Sequence, residues 1–186
     1  MKRSYDVNEN IFIPTDIQYE VMLRTPFQQL KLWCQTNQYY HQLCQNQQFW
    51  LQKLKYDQLV LPTSFLNKHN YIKIYEILQR ITNYINLIKY KQQEPVFINY
   101  DLLDVLQFFE KYIPIQLNMN QIDDITENIE HVEFNQYGNH YQLEFEYNKE
   151  WDETGELINF DVYQEIITHQ QLIDVLYDGY INQFFY

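Results

Sequence analysis

The chain has no alanine, only three glycines and five prolines, and two cysteines among its 186 residues. Without small residues, helices cannot approach closely, so any core must be assembled from large side chains. Those are plentiful: 18 tyrosines and 12 phenylalanines lift the aromatic share to 18% of a chain that is 46% hydrophobic. Disordered chains are poor in aromatics, so this one can bury a core. Its tyrosines are expected to pack by their rings and keep their hydroxyls in water. Scarce glycine also makes a phosphate-cradling loop hard to build, and no Walker-type loop, GxSxG, HExxH or CxxC pattern is present. No apolar run approaches the ~20 residues of a membrane span. There is no basic stretch followed by an apolar core of the secretory kind. The expectation is a soluble, intracellular, cytoplasmic protein with no membrane partner. The wealth of Asn, Gln, Ile, Tyr and Lys reflects AT-rich coding and carries no functional meaning.

Cys34 and Cys44 lie ten residues apart in a segment with helical character. A disulfide requires that they face each other across a turn. The expectation is two free, largely buried thiols in a reducing compartment.

Charge is scarce in one sign in each half. The net charge is −12, yet residues 1–93 hold 11 Lys and Arg against 6 Asp and Glu, whereas residues 94–186 hold 2 against 19. Such asymmetry indicates two structural units with different surfaces. The acidic side chains either line the wet face of a sheet or await a basic target protein. Nucleic acid is disfavoured, because that half would repel phosphates.

Residues 1–10 are polar and expected to be a flexible N-terminus. Over 11–60 the pattern predicts a module of three or four short helices. Pro14 suits a first helical turn, Thr15 or Asp16 can cap it, and Ile17, Val21 and Met22 share a face. A second helix starts near Pro26 or Phe27 with Phe27, Leu30, Trp33 and Cys34 inward. Asn37 marks a break. Tyr40, Leu43 and Cys44 form the inner face of a third helix, and Phe49-Trp50, Leu51 and Leu54 that of a fourth, ending near Tyr56.

The order Ile13-Pro14-Thr15-Asp16-Ile17, Val21-Met22-Leu23, Pro26, Leu30, Tyr40, Leu43 and Phe49-Trp50 resembles an F-box over residues 13–57. The Cys-Gln-Thr-Asn run at 34–37 is similar to the F-box-like proteins of large DNA viruses. Departures are Gln18 and Thr25 at usually apolar positions, Tyr40 in place of Trp, and Gln28-Gln29 in place of an acidic pair. The resemblance implies docking to the Skp-type adaptor of cullin ubiquitin ligases in the host cell. Carried over residue by residue, it places Pro14, Ile17, Val21, Met22, Phe27 and Leu30 at or near that interface, covering an apolar patch. The alternative is that the chain's own later segments cover these residues.

Residues 61–93 read as a helical connector. Leu59–Pro62 leads to a capping-type start at Thr63-Ser64, and Ile74, Ile77, Leu78, Ile81, Ile85 and Ile88 form one stripe over 71–91. Lys73, Arg80, Lys89 and Lys91 make a solvated outer face rather than a nucleic-acid track. Residues 94–186 read as an acidic α+β domain. Phe97–Tyr100 is extended. Asn99 or Asp101 caps a helix to Tyr112 with Leu102, Leu103, Leu106 and Phe109 inward. From Ile129 the period becomes two: Val132 and Phe134, then Tyr141, Leu143, Phe145 and Tyr147, then Ile158, Phe160 and Val162, separated by turns at Gln136–Asn139 and Asp152–Gly155. Thr168 caps a last helix carrying Leu172, Ile173, Val175, Leu176 and Tyr180. The Leu102–Leu106 and Leu172–Leu176 runs are similar, as a repeat would be, but five apolar-rich positions recur often by chance. The fold class is α+β: a helical module and connector, then an antiparallel meander with flanking helices.

Chemistry is thin. His131 and His140 could meet across the 136–139 hairpin beside Glu130 or Glu133, and Glu144 and Glu146 share a strand face. Exposed polar strand residues account for both equally. No catalytic residue, metal or cofactor is expected. The function is read as an adaptor whose helical module docks a Skp-type protein while the acidic domain binds a target. The alternative is a viral structural or assembly protein that keeps an F-box-like fold without ubiquitin chemistry.

Overall fold

A computed structural model describes residues 15–63, 70–92, 94–115 and 127–185. The chain forms two compact units, Met1–Gln58 and Leu59–Tyr186.

The first unit is helical: α1 (Thr15–Arg24), α2 (Phe27–Thr36), α3 (Gln38–Cys44) and α4 (Gln47–Tyr56). The helices are separated by single residues or short turns, each with an identifiable cause. Pro26, with φ −55°, precedes the first helical residue of α2. Asn37 is extended and serves two helices at once. Its N–H donates to Trp33 O as α2 ends, and its side chain accepts from Tyr39 N and Tyr40 N as α3 begins. Asn46 caps α4 by accepting from Gln48 N at 2.8 Å. Helix α1 begins at Thr15, so Asp16 lies in its first turn, near the positive helix end, rather than at the cap. Pro14 lies outside the described residues. Phe49, Trp50 and Leu54 are buried on α4, and the Trp50 Nε1–H donates to Cys44 O at 2.7 Å. Trp33 stacks on Tyr40 at 5.4 Å.

The cysteines overturn the expectation of free thiols. Turning the chain at Asn37 brings α2 and α3 side by side, with Cα atoms of Cys34 and Cys44 5.8 Å apart and the sulfurs joined in a disulfide. That separation lies within the range a disulfide can bridge.

The second unit holds α5 (Tyr71–Lys89), β1 (Val96–Asp101), α6 (Leu102–Glu110), β2 (Asn128–Tyr137), β3 (His140–Trp151), β4 (Leu157–Ile167) and α7 (His169–Ile181). The helix expected as a connector is part of this unit, where it packs on α7 and β2 with its isoleucine stripe buried. Asn70 caps it; Ser64 lies outside the described residues. The four strands form one antiparallel sheet in the order β1-β2-β3-β4. The meander of β2, β3 and β4 therefore has β1 as an added edge. Gly138 (φ 57°) and Gly155 (φ 83°) occupy the left-handed positions of the two hairpin turns. In the second, the Asp152 carboxylate accepts from Thr154 N and Glu156 N, both at 2.8 Å.

One face of the sheet meets the helices. Phe134 pairs with Leu143, Tyr141 with Ile167 and Phe145 with Tyr163, and all six are buried. Here β4 departs from expectation. Its inward side chains are Tyr163 and Ile167, while Ile158, Phe160 and Val162 point to the opposite, open face. Helix α6 is also rotated relative to expectation and ends at Glu110. Leu103 is exposed, and Val105 and Phe108 join Leu102, Leu106 and Phe109 inside. Asp101 caps α6 through Asp104 N, and Thr168 with Gln171 makes a reciprocal cap on α7. After α7 the chain turns back. Phe184 stacks on Phe108 at 4.2 Å and on Tyr100 at 4.3 Å. The large-residue core demanded by the absence of alanine is this aromatic cluster.

Candidate functional site

The candidate site in the first unit lies on α1, whose two sides have different tasks. Its inner side is fixed. Met22 and Leu23 are buried, Tyr19 meets Phe49 edge-on at 5.7 Å, and the Tyr19 hydroxyl donates to Gln52 Oε1 at 2.9 Å. Its C-terminal carbonyls, which have no helical donors, are satisfied by side chains. Thr25 Oγ1 donates to Val21 O at 2.6 Å, and the buried Lys53 Nζ donates to Leu23 O at 2.9 Å while pairing with Asp57 at 2.7 Å. The outer side carries Ile17 and Val21, one turn apart and 53% and 46% exposed. Glu20 and Arg24 flank them as an exposed ion pair.

Of the residues that the resemblance places at an interface, Ile17 and Val21 are thus on the surface. Met22, Phe27 and Leu30 are interior, and Phe27 lies against Trp50 at 6.5 Å. Pro14 is outside the described residues. An alternating apolar pattern cannot distinguish residues that hold a helix to its own bundle from those left for a partner. The buried lysine was not anticipated, although its spacing from Asp57 (i, i+4) is a readable signal.

In the second unit the histidines do not meet. His131 pairs with Phe97 on β1, and His140 pairs with Tyr137 at the hairpin end. Six residues of extended strand separate the two positions, about 20 Å. No group of three metal-ligating side chains exists among the described residues. Glu144 sits on the open face directly opposite Glu133, and Gln164 Nε2 donates to Glu144 at 2.7 Å. Like charges so placed oppose strand pairing. They make the middle of the open face strongly acidic.

A groove of about 270 Å³ lies where β3 is irregular. Glu127, Asn148, Lys149, Glu150, Trp151, Asn159 and Asp161 line it. Asn148 has φ 51°, and the Glu127 carboxylate accepts from the N–H groups of Asn148 and Lys149, replacing ladder bonds that the bulge removes. Asn148 Nδ2 donates to Asp161 at 2.9 Å. The groove's polar groups therefore hold the bulge together. Glu127 was not singled out from sequence, although the Asn148-Lys149 break in the alternation marks the bulge.

Elsewhere two carboxylates of α7, those of Asp174 and Asp178, are matched by donors. The Asp174 carboxylate accepts from Thr63 N, Thr63 Oγ1 and Gln170 Nε2 at 2.8, 3.0 and 3.1 Å. Tyr112 donates to Asp178 at 2.5 Å, and burial together with that carboxylate raises the phenol's pKa well above its ordinary value. No helix of the described residues is long and apolar enough to cross a membrane.

Comparisons with family models, curated proteins and solved structures found no match to this chain.

Proposed function

We propose that the chain is a protein-docking adaptor with an F-box-like first unit and an acidic second unit. The carrying observation is that α1 is apolar on two sides. Met22 and Leu23 hold the bundle, and Ile17 and Val21 remain on the surface. An exposed Ile and Val one turn apart add only about 0.2–0.5 kcal/mol to a short helix on their own. Such a pair serves a partner that covers it. On this reading a Skp-type adaptor packs on the outer side of α1, while Met22, Phe27 and Leu30 shape the bundle from within. The second unit has an open face with Glu133 and Glu144 side by side, which suits a basic target protein. The role is one of binding, not catalysis, and it is exercised in the host cytoplasm if the chain is viral.

The test is co-expression of the full chain with a Skp-type adaptor, followed by size-exclusion chromatography. A co-eluting complex is expected for the wild type. Ile17→Asp with Val21→Asp should abolish it while leaving the circular dichroism unchanged, since both positions are on the surface. A wild-type chain that never co-elutes, or a double variant that binds as well as wild type, would refute the assignment.

A further inference from the structure

Strand β4 ends the sheet. Among the described residues its backbone bonds go to β3 alone. Sheet edges offer a row of unpaired N–H and C=O groups, and proteins ordinarily blunt them with lysine, proline or a short length. Strand β4 is lightly defended: it runs 11 residues with no Lys, Arg, Pro or Gly, its register shift is confined to Leu157–Asn159, and its only charges are Asp161 and Glu165. Apart from Gln164, its open-face side chains are apolar, with Ile158, Phe160, Val162 and Ile166 at 64, 41, 41 and 43% exposure. They stand on an otherwise acidic face, beside Glu144 and Glu146 of β3.

We propose that β4 pairs antiparallel with β4 of a second copy of this chain, about a twofold axis at Val162. The strand is its own complement in that register. Overlap of the regular stretch Asn159–Glu165 with its copy is centred on Val162. It sets Val162 opposite the partner subunit's Val162, and Phe160 opposite the partner subunit's Gln164. On the other face Asp161 meets the partner subunit's Tyr163, and Asn159 meets the partner subunit's Glu165. No like charges are opposed. Moving the axis to residue 161 stacks Asp161 on the partner subunit's Asp161. Moving it to residue 163 stacks Asp161 on the partner subunit's Glu165. Both are penalised by repulsion across the pair. Half-step registers turn the apolar face to the wrong side. The contact is isologous, as a twofold dimer requires, and it joins two four-stranded sheets into one. It stands apart from the docking reading, since it uses no residue of α1.

The test uses the full chain. Analytical ultracentrifugation should show a dimer that tightens with added salt, because both copies carry acidic second units. Val162→Lys places two ammonium groups on the axis and should weaken association at least ~100-fold. Val162→Cys should give a covalent dimer on non-reducing gels, and a Phe160→Cys chain should cross-link to a Gln164→Cys chain far faster than either does to itself. Amides of β4 should be protected from hydrogen exchange in the dimer. A chain that is monomeric at every concentration would overturn the proposal, as would a dimer unaffected by Val162→Lys. So would β4 protection that appears only when a foreign basic peptide is added.

Discussion

Gly179 lies beneath the ring of Phe185 so closely that a β-carbon there would stand 2.2 Å from the ring's Cδ2. The contact is made because Phe184 N and Phe185 N both donate to Gly179 O, at 2.8 and 3.1 Å, folding the last residues back over the end of α7. Gly179 is helical, so alanine would gain about 1 kcal/mol of helix propensity. The clash outweighs it. Gly179→Ala is expected to cost about 2 kcal/mol net in chemical denaturation, the usual cost of overpacking. In a Phe185→Ala background the same change should become neutral or stabilising, because the obstructing ring is gone.

Lys53 and Asp57 give a second prediction. The ammonium is buried and has Asp57 at 2.7 Å and Leu23 O at 2.9 Å. Removing the carboxylate leaves an interior charge without its counter-ion. Asp57→Asn should cost about 2 kcal/mol, less than for a fully buried pair because Asp57 retains some solvent. Lys53→Met, which removes the charge and keeps the stem volume, should cost less, about 1 kcal/mol. A urea titration in which the two single variants rank the other way would show that the ammonium's bond to Leu23 O, lost only in Lys53→Met, outweighs the counter-ion.

The Cys34–Cys44 bridge closes a loop of ten residues. In the chain-entropy view such a closure contributes about 3 kcal/mol. Reductant, or Cys34→Ser with Cys44→Ser, should lower the unfolding free energy of the first unit by that amount and move its denaturation midpoint down accordingly. Hydrogen exchange of α5–α7 amides should not change. An unmoved midpoint would mean the bridge adds no stability.

The pH dependence has a sign at each end. Burial, then Glu165, pushes the Tyr163 phenol up to about 12, and burial, then Asp178, does the same for Tyr177. Burial also raises Tyr84 and Tyr112. The folded chain keeps these protons while the unfolded chain sheds them above the ordinary value of 10.0. Stability is therefore expected to hold up to about pH 10 and fall beyond it. The share of tyrosinate absorbance that comes from these four phenols should rise together with unfolding rather than ahead of it. In acid, burial and then Lys89 hold His169 below its ordinary 6.5. The unfolded chain takes up that proton first, so stability falls as pH drops below the ordinary value. His169→Gln should remove that part of the acid response.

The elements legible in the sequence were those with one apolar face. The α5 isoleucines fall every three or four residues, Thr168 sits at a cap, and β3 alternates cleanly from Tyr141 to Tyr147. Strand β4 was misread because it is apolar on both faces: Ile158, Phe160, Val162 and Ile166 on one, Tyr163 and Ile167 on the other. A period of two cannot say which is inward. Pairing does, since Phe145 faces Tyr163 and Tyr141 faces Ile167 on the side where β3 is buried. The α1 site was half legible for the same reason. Ile17 and Met22 look alike in a helical pattern, and only the placement of α4 beside α1 separates them. The disulfide was missed although the break at Asn37 was legible: a cap marks where α2 ends, not the angle at which α3 leaves, and that angle brings the two cysteines face to face.

The two borders of the sheet are unequal. Strand β1 is six residues long, follows Pro95, loses its register between Phe97 and Tyr100, and ends as Asp101 opens a helix. A border so short and irregular is a poor template for another strand. Once two chains have consumed each other's β4, only such borders point outward, so growth has nowhere to continue. The same molecule that offers a sticky flank on one side carries a terminator on the other, and that is what would keep a self-pairing sheet from becoming a fibril.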